Sequence, residues 1–67
     1  MLDYEKIGRK IKNERKIRGL TQEKLAEKMD VCVSYVGLIE RGKRIPSLDT
    51  MVKMCRALGI SIDRVIE

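Results

Sequence analysis

The stretch Leu20-Thr-Gln-Glu-Lys-Leu-Ala-Glu-Lys-Met-Asp-Val-Cys-Val-Ser-Tyr-Val-Gly-Leu-Ile-Glu-Arg-Gly-Lys-Arg-Ile-Pro-Ser47 decides the fold. Two short helical patterns flank a turn at Asp30–Cys32, and a basic loop with a glycine follows. A helix pair joined so tightly can present its second helix outward as a rod, and a rod of that width fits the major groove of DNA.

Working outward, the same punctuation recurs along the chain. Gly19, Gly42 and Gly59 each follow a segment of helical period, where a glycine just past the last turn stops a helix. Asp3, Thr21, Ser47 and Ser61 each precede one, where an N-cap belongs. The spacing predicts five helices, over residues 4–18, 22–29, 33–41, 48–58 and 62–66, with short connections. The expectation is an all-α fold, a compact five-helix bundle forming one domain over 1–67, with a helix-turn-helix at 21–41.

The apolar residues predict the core. Ile7 and Ile11 share one face of helix 1, whose other faces carry Lys6, Arg9, Lys10, Lys12 and Lys16. Helix 2 offers Leu25, Ala26 and Met29, and helix 4 the stripe Leu48, Met51, Val52, Cys55 and Leu58. Helix 5, with Ile62, Val65 and Ile66, is too short to stand unless packed. Helix 3, turned by about 100° per residue, gathers Cys32, Val36 and Ile39 on a core side. Val33, Ser34, Gly37, Leu38 and Arg41 fill the other arc. An ordinary solvated face would be richer in Glu, Lys and Gln; this one is suited to touch something.

Composition narrows the function. The 67 residues carry a formal charge of +5, which points to a polyanionic partner, nucleic acid or anionic lipid. Two aromatics, Tyr4 and Tyr35, leave the core to aliphatic side chains. The two cysteines make no disulfide framework, the N-terminus is charged from Asp3 onward, and no apolar run reaches the ~18 residues of a membrane span. A reduced, cytoplasmic setting is expected. No His, metal-ligand constellation, phosphate-cradling Gly loop or paired acid–base motif is present. Neither an enzyme nor a metal or other cofactor is expected.

In order and in register, several pieces resemble the Cro/CI-type helix-turn-helix family of phage repressors, also called the xenobiotic-response-element type. They are Leu20-Thr21-Gln22-Glu23-Lys24-Leu25-Ala26, Leu38-Ile39-Glu40-Arg41-Gly42-Lys43-Arg44, Pro46-Ser47-Leu48 and Ala57-Leu58-Gly59-Ile60-Ser61. The resemblance runs from about Ile7 to Ile66 and implies a sequence-specific regulator of double-stranded DNA, most simply a repressor, bacterial or phage-encoded and nucleoid-associated. It implies a homodimer on a palindromic operator; Ile62, Val65, Ile66 and the ends of helices 4 and 5 are the candidate dimer surface, and closing the core is their other role, expected to take at least part of them. Stand-alone chains of this kind also resemble restriction–modification controller proteins, which can activate; Glu23 and Glu27 would then be available to RNA polymerase.

Position by position, the resemblance puts Val33, Ser34 and Leu38 at base edges. Only Ser34 can hydrogen-bond there, while Val33 and Leu38 suit thymine methyl groups. Gln22, Tyr35, Arg41, Lys43 and Arg44 would meet phosphates. Arg41 also complements the helix dipole, and the Tyr35 ring can pad the edge of the core. Arg15 and Glu40 correspond to an ion pair joining helix 1 to helix 3. Two residues depart from the family. Asp30 replaces a common Gly at a position expected to be left-handed, which Asp tolerates, and Cys32 replaces a Ser or Thr cap with a weaker acceptor. The apolar residues at the base-reading positions keep a second class open: a protein-interaction module, such as an antitoxin or adaptor, on the same scaffold.

Overall fold

A computed structural model describes residues 2–67. It contains α1 (Tyr4–Ile17), α2 (Gln22–Met29), α3 (Val33–Glu40), α4 (Leu48–Leu58) and α5 (Asp63–Ile66), with no strand among the described residues. Three starts are capped as the sequence predicts. Asp3 accepts from the amides of Glu5 and Lys6, Thr21 from Lys24 and Ser47 from Thr50. Ser61 does not cap α5. Ile62 precedes that helix in helical conformation, and the Ser61 carbonyl, not its hydroxyl, accepts from Arg64.

The first four helices end in one motif. The residue just past the helix is left-handed, its N–H reaches back three residues, and the next N–H reaches back five. Gly19, Gly42 and Gly59 fill that place in α1, α3 and α4, and Asp30 (φ 57°, ψ 49°) fills it in α2. Asp30 is the one non-glycine with positive φ among the described residues.

α1 packs on α3 and α5, and α2 packs on α3 and α4. The core comprises Ile7, Ile11, Leu25, Ala26, Met29, Val36, Ile39, Met51, Met54, Cys55, Leu58 and Val65. Three expectations need correction. Val52 is only half-buried and lies outside the core. Leu48 is 72% exposed, because it opens α4 beyond the reach of the core, and the fully buried Met54 takes the central place on that helix. Cys32 is exposed, not in the core: its backbone is extended (φ −68°, ψ 144°), so a helical angle does not describe where it points.

The short α5 is held from two sides. Val65 is buried in the core. The exposed Arg64 donates through Nε to Glu14 Oε2 on α1 at 3.0 Å, and Arg18 donates to the other oxygen of Glu14. The Arg18 hydrogen bond, helped by Arg64 and opposed by burial, holds the Glu14 carboxyl below the usual carboxylate range. Burial pushes the Cys55 thiol up, which makes it a packing group and a poor nucleophile.

Candidate nucleic-acid interface

α3 is fixed at its C-terminal end. Glu40 is buried, and its carboxylate accepts from Arg15 Nε (2.7 Å) and Nη2 (3.2 Å) on α1 and from Gln22 Nε2 (2.9 Å) on the first turn of α2. The third Arg15 nitrogen, Nη1, donates to the Leu20 carbonyl at 2.7 Å. One carboxylate thus ties three helices and the segment between two of them. No buried side-chain N or O among the described residues lacks a partner. A fully bonded network of this kind fixes an orientation, since any rotation of α3 would strand a charge.

Backbone contact reinforces that junction. A Cβ on Gly8 of α1 would lie 2.4 Å from the Ile39 carbonyl oxygen and 2.6 Å from that of Glu40. Only glycine lets α1 approach α3 so closely. The sequence reading missed Gly8, although an isolated glycine inside a helical pattern is the signal for such an approach.

The rest of α3 is turned outward. Val33 (42% exposed) and Ser34 are exposed, and Tyr35 and Leu38 are half-buried. Val36 and Ile39 point into the core. Arg41, Lys43 and Arg44 follow, all exposed and none paired with a carboxylate among the described residues. The Arg44 guanidinium lies over the Tyr35 ring, 5.6 Å from its centroid, which joins the basic loop to the outward face of the helix by a cation–π contact. Cys32 makes no side-chain cap at the N-terminal end of α3.

The surface therefore combines a rigidly mounted helix, an outward face of small and apolar groups, and three exposed cations at its end with no carboxylate partner among the described residues. No group of His, Cys, Asp or Glu among the described residues could hold a metal ion. No helix of the described residues is long and apolar enough to cross a membrane.

The family model described as helix-turn-helix matches residues 11–65. The chain belongs to the Cro/CI-type helix-turn-helix family. It is 43% identical over 60 residues to the immunity repressor protein of Bacillus phage phi105, an alignment that spans 90% of this chain and 42% of the repressor's length. Among solved structures, the restriction–modification controller protein C.AhdI from Aeromonas hydrophila superposes with a TM-score of 0.91 at 38% identity, over 94% of this chain and 96% of that one. SinR, a master regulator of biofilm formation solved in complex with DNA, superposes with a TM-score of 0.86 at 35% identity, over 91% and 98% of the two chains.

Proposed function

We propose that this helix-turn-helix chain is a transcriptional regulator, most simply a repressor, that binds double-stranded DNA by inserting α3 into the major groove. The observation that carries this reading is the contrast on α3: a buried carboxylate network holds one end, while Val33 and Ser34 and the cations Arg41, Lys43 and Arg44 are exposed, with Leu38 half-buried between them. The likeness to SinR, a chain solved with DNA, supports it.

Val33, Ser34 and Leu38 meet base edges. Two of the three are apolar, so thymine methyl groups at the contacted positions are favoured over hydrogen-bonded bases. Gln22, Tyr35, Arg41, Lys43 and Arg44 meet phosphates, setting position without reading sequence. The Arg15–Glu40 pair orients α3 for both.

The chain acts as a homodimer on a palindromic operator whose half-sites lie about 34 Å apart. Val65 is spent inside the core, which removes it from the dimer surface. An apolar groove lined by Leu2, Tyr4, Ile7, Leu48, Met51 and Ile66 takes its place, with Leu48 72% and Ile66 39% exposed.

Selection of bound sequences from a random DNA pool tests all of this at once. An enriched, two-fold symmetric, T-containing site is the expected result. The apolar Val33 and Leu38 favour one other reading, a protein-interaction module such as an antitoxin or adaptor. Absence of any DNA binding at low salt would overturn the regulator.

A further inference from the structure

Gly37 sits on the outward arc of α3 with Val33, Ser34, Leu38 and Arg41, yet it is buried. Two polar side chains cover it. A Cβ built on Gly37 would stand 3.2 Å from Arg41 Nη1, 3.8 Å from Gln22 Nε2 and 3.9 Å from Gln22 Oε1. Arg41 lies one turn further along and runs back toward the N-terminus, the direction helical side chains take. Gln22 arrives from α2 with its amide already oriented, because Nε2 donates to Glu40.

The donor inventory of this corner is unbalanced. One N–H of Gln22 is used by Glu40, and the second has no acceptor among the described residues. Arg41 brings the guanidinium fork and has no carboxylate partner among the described residues. The nearby Glu40 carboxylate is already neutralised by Arg15. Two sets of free donors therefore flank one point above the helix, an arrangement that fits a phosphate oxygen. Glycine in the middle of a helix is unfavourable relative to alanine, and the room it leaves is the room these two side chains occupy.

We infer that Gly37 is a positioning residue: the notch it leaves on α3 holds the Arg41 guanidinium against the Gln22 amide, so that the two grip a single DNA phosphate. Glu40 sets the amide and Gly37 sets the guanidinium. This inference rests on the DNA-binding reading given above.

The test is Gly37→Ala, with DNA affinity measured against salt on a mixed-sequence duplex and on duplexes recovered from the random pool. The added methyl is tight only against the flexible end of Arg41 and touches the Gln22 amide at ordinary contact distance, so the fold is kept. Helix propensity then raises Tm by about 4 °C. Affinity falls about tenfold on both kinds of duplex, because a phosphate carries no sequence, and the log–log salt slope drops by up to about 0.9. In an Arg41→Gln background the same glycine change moves affinity less than about twofold, as additivity fails for residues that act through one another. Arg41→Lys keeps the charge and loses the fork; it should bind about fivefold more weakly with the salt slope retained.

Wild-type affinity and slope in Gly37→Ala would overturn the inference, as would an undiminished loss in the Arg41→Gln background, which would mean that the methyl strikes DNA directly. Wild-type binding by Arg41→Lys would overturn it too. A wild-type chain that binds neither kind of duplex would instead bring down the DNA-binding reading itself.

Discussion

At its C-terminal end α3 is held by a buried carboxylate with three hydrogen bonds and by a backbone contact at Gly8, whereas at its N-terminal end it begins on an uncapped Cys32 after a left-handed Asp30. The terminal residues differ in the same sense, Glu40 being 4% exposed and Val33 42%. One end of the helix is specified by partners inside the protein. The other is left with backbone donors and apolar side chains facing out. The DNA-reading role proposed for α3 needs both: an anchor that fixes its direction, and a tip whose contacts are completed by something else.

The anchor can be broken outright. Glu40→Ala leaves Arg15 buried without its partner and Gln22 without its acceptor, at a cost of about 3–5 kcal/mol. A single core in a chain of this size supplies only ~3–5 kcal/mol net. Chemical denaturation should therefore find the variant largely unfolded in buffer. A variant that melts within a few degrees of wild type would show that the network orients α3 without holding it.

Gly8→Ala attacks the same end through the backbone. Its Cβ would meet two carbonyl oxygens that cannot rotate away, so α1 and α3 must part. The expected loss is about 1–3 kcal/mol, read as a lower midpoint in urea, even though alanine is the better helix former.

At the loose end substitutions should stabilise. Cys32→Ser supplies the missing cap acceptor for α3 and should add about 1 kcal/mol, visible as a rise in Tm. No change would mean that the first turn is already satisfied by solvent. Asp30→Gly removes a side chain from a left-handed position but loosens the unfolded chain. These terms nearly offset, and Tm should be unchanged or slightly higher. A clear fall would show that Asp30 contributes something other than its backbone angle.

A smaller effect separates this buried junction from the Glu14 cluster on the next residue of α1. The Glu14 carboxyl is held below its ordinary value of 4.5 in the folded state. Its contribution is thus complete above that pH and is lost as pH falls through the lowered value. Wild type and Glu14→Gln should differ in Tm near neutral pH and converge in acid. A gap that persists in acid would show that the carboxylate charge is not the source of the difference.

Much of the scaffold was legible in the chain because it depends on local rules. Asp3, Thr21 and Ser47 cap their helices by reaching amides two or three residues away, and Gly19, Gly42, Gly59 and Asp30 stop theirs by adopting a left-handed angle. Such signals need no tertiary information. Ser61 failed because α5 is too short to specify its own start. Leu48 and Cys32 failed at helix starts, where helical periodicity does not yet say what a side chain meets.

The sequence by itself determined the five helices, where four of them stop, most of the aliphatic core and, through the motifs between Leu20 and Ser61, the family. Only the tertiary structure decided which polar groups share a partner. Glu14 and Arg15 are neighbours in the chain, yet one turns to Arg64 on α5 and the other to Glu40 on α3. Gly8 and Gly37 look alike as helix-breaking residues, yet one admits a backbone and the other two side chains. Helical period assigns a residue to a face, but what stands opposite that face is set by segments tens of residues away, brought there by the burial of the core.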